Sequence, residues 1–147
     1  MLLWDGACMV HEAFSMEKLI DLYKEHPDAE LIAHPESEAH MLKVAKYIGS
    51  TSGLLNHVRN SDKNKFIVAT EAGILYQMMQ ENPNKTIIPA PAKEDNTCAC
   101  SECAYMKMNT MKKLYLCLKH ELPNIEVAAD LCKKAIVPIQ RMLEISK

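Results

Sequence analysis

The residues best suited to chemistry in this chain are its clustered cysteines. Cys98, Cys100 and Cys103 lie within six residues of one another in a polar loop, and thiolates are good ligands for soft metals. A zinc ribbon would need a second pair of closely spaced cysteines, and ferredoxin-type clusters need four cysteines in their own spacing. Neither pattern is present. The loop therefore indicates either a redox pair or a metal site shared with a distant residue such as Cys8.

Other polar residues follow short apolar segments, where a predicted strand ends. In chain order they are Cys8, His11, His34, Glu36, Ser50, Thr51, Thr70 and Glu71. Imidazoles and carboxylates serve as general acids and bases when their pKa values lie near neutrality. Plain structural roles are also open, because histidines beside proline are common in turns, acids favour helix N-termini and hydroxyls cap helices. His26, His40, His57 and His120 fall in or beside predicted helices and are expected to be solvated.

Short aliphatic segments alternate with segments of helical periodicity. Strands are predicted at LLW, ELIA, FIVA and TIIP, with a weak one near residues 48–51. Helices are predicted in MEKLIDLYKEH, SEAHMLKVAKYIG, SGLLNHVRN and AGILYQMMQEN. In the second of these, Ser37 is the predicted cap and Gly49 the predicted end. Apolar strands alternating with helices indicate an α/β fold, in which ligands bind at the carboxyl ends of the parallel strands.

Residues 1–91 are therefore predicted to form a three-layer αβα domain with a short parallel sheet. Residues 92–147 are predicted to hold the cysteine loop, a helix over about 104–121, a possible strand at IEVAA, and a last helical segment that Pro138 kinks or restarts. These C-terminal helices have no sheet of their own, so we expect them to pack on an adjoining domain. Cys117 and Cys132 each adjoin leucine and are expected to be buried, inert thiols.

Composition excludes several classes of function. With 147 residues and 48% hydrophobic content the chain can bury a core. A net charge of -2 without a Lys/Arg block gives no reason to expect nucleic acid or an anionic membrane as partner. No apolar stretch is long enough to span a bilayer, and no export signal is recognisable. Cysteines in this context favour reduced thiols and a cytoplasmic location.

Five ordered segments resemble signature segments of the quinolinate synthase family. They are LLWDGACMVHEAF, AHPESEA, GSTSGLL, FIVATEAGILYQM and CSECAYMKMNTM, and the closing AIVPIQRML resembles the family's C-terminal helix. The chain is thus identified as the C-terminal portion of such an enzyme, with the first part missing. The resemblance implies three similar α/β domains around a 4Fe–4S cluster, each giving one cysteine. It also implies the condensation of iminoaspartate with dihydroxyacetone phosphate to quinolinate in NAD biosynthesis.

The resemblance also implies roles for particular residues. Cys8 and Cys103 would be two of the three cluster ligands, and one iron without a protein ligand would act as a Lewis acid. His11, His34 and Glu36 would be catalytic. Substrate would be bound by His34, Glu36, Ser50 and Thr51.

The family's third cysteine and other substrate-binding residues belong to upstream sequence, so the chain alone is expected to be incomplete and inactive, with the missing N-terminal half as partner. Cys98 and Cys100 have no role in the family pattern, and a reversible Cys100–Cys103 disulfide is a further hypothesis. The alternative function is a non-enzymatic iron–sulfur or thiol redox module. We also expect marginal solubility, from apolar faces that normally meet the missing half.

Overall fold

The structure is a computed structural model that describes residues 6–93 and 101–146. It divides into two units, Met1–Lys107 and Met108–Lys147. The helices are α1 (Met16–Glu25), α2 (Ala39–Val44), α3 (Thr51–Asn60), α4 (Gly73–Glu81), α5 (Ala104–Lys107), α6 (Met111–His120) and α7 (Ala129–Ile145). The strands are β1 (Glu30–Ala33), β2 (Tyr47–Ile48), β3 (Lys65–Ala69) and β4 (Thr86–Pro89). Among these helices none is long and apolar enough to cross a membrane.

The first unit is built on a parallel sheet with strand order β2-β1-β3-β4. β1 and β3 pair in the middle, with Ile32 opposite Val68 and Ala33 opposite Ala69. This confirms the predicted α/β fold. Three predicted strands are present, and the weak one is realised as β2, which pairs with β1. The predicted LLW strand lies outside the described residues.

Helices cover both faces of the sheet, as a three-layer fold requires. On one face Leu31 and Ile67 pack with Leu19 of α1 and Met41 of α2. On the other face lie Ile32, Phe66 and Val68, packed with Leu54 and Val58 of α3 and with Leu75 and Met78 of α4. Consecutive residues of a strand point to opposite faces. The continuous apolar run of each central strand therefore supplies both halves of the core.

The second helix is shorter than its periodicity predicts. α2 ends at Val44, because the amide of Lys46 donates to the carbonyl of Leu31 at 2.8 Å and the amide of Gly49 donates to that of Ala33 at 3.1 Å. Residues 46–49 could have continued the helix, but they form hydrogen bonds with β1 instead. The prediction that Gly49 ends the helix was wrong. A Cβ at Gly49 would lie 2.8 Å from Cε1 of Tyr47, so a larger residue here would force the ring of Tyr47 to move.

His57 is not the solvated helix residue that was predicted. Its Nε2 lies 2.6 Å from a carboxylate oxygen of Glu30, and its ring stacks on Tyr47 with centroids 4.0 Å apart. The side chain is only 25% exposed. Because α3 crosses over β1 and β2, this histidine ties a helix to the sheet.

The predicted helix over residues 104–121 is interrupted. α5 ends at Lys107, and α6 begins after Thr110, whose Oγ1 accepts from the amide of Lys113 at 3.2 Å. Threonine favours this capping position over a helix interior because its hydroxyl satisfies a free amide at the helix start.

In the second unit, α7 runs through Pro138 without a restart, and residues 124–128 form no strand. Every residue described in this unit is exposed, including Cys117 and Cys132. The prediction that these two thiols are buried was therefore wrong. Two helices and their linker are too few to enclose their own apolar side chains.

Candidate active site

A tight turn before α1 brings Cys8 and His11 together. The amide of Glu12 donates to the carbonyl of Cys8 at 3.1 Å, and the amide of Ala13 donates to that of Val10 at 3.3 Å. Val10 is 4% exposed and His11 is 7% exposed, whereas Cys8 is half-buried. The buried valine holds the turn on the core, so the imidazole is directed inward beside the thiol.

His11 has a polar partner on each ring nitrogen. Its Nδ1 lies 3.2 Å from Oε2 of Glu36, and its Nε2 lies 3.3 Å from Oγ1 of Thr70. An ionised carboxylate only accepts, so the network assigns the proton to Nδ1 and leaves Nε2 to accept from the threonine hydroxyl. Thr70 is 3% exposed and directly follows β3. The ring is thereby fixed in tautomer and orientation.

His34 lies against His11, at the carboxyl end of β1. The two imidazoles stack with centroids 4.4 Å apart and planes 7° from parallel. The backbone amide of His34 donates to the carbonyl of Ala69 at 3.0 Å, which extends the β1–β3 pairing by one residue. Its Nδ1 accepts from the amide of Glu36 at 3.3 Å. The neutral ring therefore carries its proton on Nε2.

The surroundings of His11 favour its neutral form. Burial, followed by the nearby imidazole of His34, lowers the pKa of His11 below its usual value of 6.5, and the carboxylates of Glu36 and Glu71 oppose that shift. Burial dominates because a charged imidazolium loses its hydration inside the fold. At neutral pH this favours a stacked pair with a neutral His11 beside the carboxylate of Glu36, which is 60% exposed.

The two thiols predicted to bind metal are both free and half-buried. Cys8 belongs to a group with His11 and Glu36 whose three potential ligand atoms all lie within 4.8 Å of one another. The amide of Cys103 donates to Oε1 of Glu71 at 3.3 Å, and Glu71 is also close enough to His11 to act on its pKa. Glu71 therefore links the end of the cysteine loop to the histidine pair. Cys98 and Cys100 lie outside the described residues.

The end of that loop is attached to the start of α4. The amide of Ala72 donates to the carbonyl of Ser101 at 2.8 Å, and Oε2 of Glu71 accepts from the amide of Gly73 at 2.7 Å. Ser101 is 5% exposed and has a positive φ of 67°. A buried residue in this rarely populated conformation is held by its surroundings, so the position of Cys103 follows from the fold of the sheet domain.

Comparison with known proteins decides the family. The family model described as Quinolinate synthetase A protein matches residues 1–144. The chain belongs to this family. It is 54% identical over 146 residues to the quinolinate synthase of Microcystis aeruginosa, and 49% identical over 147 residues to that of Chloroherpeton thalassium. These matches cover 99% and 100% of the chain but 45% of each relative. The chain thus spans slightly less than half the length of these enzymes.

Ser50 and Thr51 are placed one strand away from the histidine pair. They follow β2, whose neighbour in the sheet is β1, and Gly49 donates to the carbonyl of Ala33, the residue before His34. Both residues are exposed. Ser50 is the cap of α3, with its Oγ accepting from the amide of Gly53 at 3.3 Å. The capping role is thus present, and the substrate roles that membership of the quinolinate synthase family suggests for the pair stay predictions.

Two residues of the site were not among those singled out as functional. Thr70 directly contacts His11, and Glu71 joins Cys103 to α4. Both were visible in the sequence as polar residues at the end of the FIVA segment, where a buried strand meets a helix start. Their position at a strand end indicated that they could belong to a site. It did not indicate which residue each would contact.

Proposed function

We propose that this chain supplies the acid–base and part of the cluster-binding apparatus of a quinolinate synthase. The whole enzyme would condense iminoaspartate with dihydroxyacetone phosphate to quinolinate, releasing phosphate and two waters. The observation that carries this proposal is the grouping of Cys8, His11 and Glu36, with His34 stacked on the imidazole, at the carboxyl edge of the parallel sheet. Family membership supports the same assignment.

The donor atoms suit an iron–sulfur cluster. Cys8 and Cys103 are free thiols, one in the turn before α1 and the other with its amide bonded to Glu71 after β3. Thiolate is the usual protein ligand of such clusters. When bound, a 4Fe–4S cluster with one iron lacking a protein ligand would supply Lewis acidity for the loss of hydroxyl as water. The third cysteine would come from the missing N-terminal half of the enzyme, which we propose as partner.

Glu36 is the best candidate for the base. Its Oε2 accepts from the imidazole of His11, which orients the carboxylate, and the side chain is 60% exposed and so can reach a substrate. A carboxylate in this position would remove a proton from the condensing intermediate. Since His34 accepts through Nδ1 from the backbone of Glu36, its Nε2–H would donate to substrate oxygen. His11 would orient Glu36 through its hydrogen bond and His34 through ring stacking.

Ser50 and Thr51 would bind a substrate carboxylate or phosphate. They lie at the N-terminus of α3, where free amides and the helix dipole favour an anion. The reduced thiols of the site fit the reducing conditions of the cytoplasm, where we place the enzyme.

The test is an anaerobic assay of quinolinate formation by the reconstituted chain, with and without a polypeptide that supplies the remainder of a relative. Activity is expected only with the added polypeptide. In that complex Glu36→Gln keeps an acceptor for His11 but removes the base, and we expect turnover to fall roughly a hundredfold or more. The matched control is Glu12→Gln, an exposed acid in the same turn as His11, which should leave turnover unchanged. Full activity of the Glu36 variant would overturn the assignment.

A further inference from the structure

Three different donor types meet beside the turn before α1. A thiol from Cys8, an imidazole nitrogen from His11 and a carboxylate oxygen from Glu36 lie within 4.8 Å of one another. Cysteine, histidine and glutamate are all ligands that zinc accepts, with bonds of about 2.0–2.3 Å in tetrahedral geometry. The ligand atoms around such an ion are then roughly 3.5 Å apart. The donor atoms would therefore have to draw closer by roughly 1.3 Å at most.

The backbone places two of the three donors on one turn. Cys8 and His11 are three residues apart in a closed turn, with Glu12 donating to the carbonyl of Cys8. The third donor comes from a different loop, and its Oε2 is 3.2 Å from Nδ1 of His11. Binding would therefore cost little chain entropy beyond fixing the exposed carboxylate of Glu36.

The opposite nitrogen of His11 has the partner that a metal-binding histidine needs. Nε2 faces Oγ1 of Thr70 at 3.3 Å, and Thr70 is 3% exposed. Zinc-bound histidines usually have such a hydrogen-bonding partner on their other ring nitrogen, which orients the ring. On zinc binding to Nδ1 the neutral imidazole would change tautomer, so that its one proton lies on Nε2 and the threonine oxygen becomes the acceptor. The proton released to solvent would be that of the Cys8 thiol.

We propose that this chain binds one mononuclear zinc ion through Cys8 Sγ, His11 Nδ1 and Glu36, with a water in the fourth position. The site differs from the cluster site in metal and in ligands, and shares only Cys8 with it. Zinc binding rests on the geometry of these three residues alone. Its consequence rests on the proposed function: because one thiolate cannot serve both metals, zinc would exclude the cluster and engage the catalytic base.

The binding test titrates zinc into the reduced, metal-free chain against a chromophoric chelator. One zinc per chain is expected, with affinity lowered at least tenfold by Cys8→Ser and by Glu36→Gln. Thr70→Val should weaken binding about tenfold through the loss of the partner of Nε2. The matched control is Cys117→Ser, which removes an exposed thiol of α6 and should change nothing. Circular dichroism of each variant checks that the fold is retained.

X-ray absorption of the zinc complex gives a second measurement that requires no variant. One sulfur among the four ligands is expected, together with nitrogen and oxygen. Two or more sulfurs would place the ion on other cysteines and overturn the site, as would equal affinity in the Cys8 variant.

The consequence is tested separately, by reconstituting the iron–sulfur cluster in the chain complemented with the remainder of a relative, with and without prior zinc loading. Zinc loading should lower the absorbance of the assembled cluster in the unaltered chain. In the Glu36→Gln variant the absorbance should return toward the value without zinc. Zinc bound through Cys8 together with normal cluster assembly would leave the zinc site standing and contradict Cys8 as a cluster ligand.

Discussion

At the scale of single residues, a few hydrogen bonds between distant parts of the chain satisfy the buried imidazole of His11. His11 contacts Glu36 and Thr70, which are 25 and 59 residues away in the chain. Tyr23 of α1 does the same for the sheet, with its hydroxyl accepting from the amide of Leu31 at 3.1 Å. Each of these bonds joins an element to the sheet, so each affects stability as well as orientation.

Tyr23→Phe should destabilise the chain by about 1–2 kcal/mol at neutral pH, because the buried amide of Leu31 loses its acceptor. Burial also raises the pKa of Tyr23 above 10.0. A raised pKa favours the protonated phenol in the fold, so its contribution is complete below the unfolded pKa and declines as the pH rises through the folded one. Urea unfolding from neutral to strongly alkaline pH should therefore show that the free energy of unfolding falls more steeply with pH in the unaltered chain than in the Tyr23→Phe variant.

Tyr76→Phe is the control for this prediction, because Tyr76 is 71% exposed. It should change stability by less than about 0.5 kcal/mol at any pH. If the Tyr23→Phe variant lost as much stability at alkaline pH as the unaltered chain, groups other than Tyr23 would be the cause.

At the scale of elements, β3 is the centre of the fold. It pairs with β1 on one side and β4 on the other, and Phe66, Ile67, Val68 and Ala69 are all 0% exposed. Thr70 and Glu71 follow this strand directly. A central, largely buried strand therefore positions the two residues that contact His11 and Cys103.

Ile67→Ala should destabilise the chain by about 2–5 kcal/mol, because it opens a cavity against α1 and α2. The matched change Ile20→Ala in α1 removes the same atoms from a side chain that is 52% exposed, and should cost less than about 1 kcal/mol. Chemical denaturation of both variants gives the comparison. Similar losses at the two positions would mean that the described core is wrong.

Changes at Ser50 separate its capping role from its proposed substrate role. Ser50→Ala should destabilise α3 by about 1 kcal/mol, whereas Ser50→Asp should retain the cap and the stability. In the complemented enzyme the aspartate should raise KM, because its charge repels a substrate carboxylate or phosphate. Thermal unfolding and steady-state kinetics distinguish the two effects, and an unchanged KM for the aspartate variant would leave Ser50 as a cap alone.

At the scale of the whole molecule, the two units differ in how much apolar surface they bury. The sheet domain encloses two hydrophobic clusters, one on each face. In the second unit Leu118 is 73% exposed, Leu131 55% and Val137 60%. Apolar surface of this kind usually marks an interface. Because the chain spans 45% of the length of its Microcystis aeruginosa relative, we expect polypeptide outside this chain to cover that surface.

Without that polypeptide, the chain should self-associate as its concentration rises. Leu118→Gln should weaken the association roughly tenfold or more, since burying one leucine contributes about 1.5–3 kcal/mol. The neighbouring change Lys119→Gln removes a charge but no apolar surface of that kind and serves as control. Sedimentation velocity measures both, and a monomer at every concentration for the unaltered chain would contradict the prediction.

The sequence by itself determined the α/β class, three of the described strands, the helix start at Met16, and the edge of the sheet where polar residues gather. These features depend on local periodicity, capping and apolar runs, which involve only residues close together in the chain. Tertiary structure alone decided that α2 yields to β2, that His57 pairs with Glu30, and that His11 lies between Glu36 and Thr70. Those outcomes depend on contacts between residues far apart in the chain, which packing selects and local pattern does not encode.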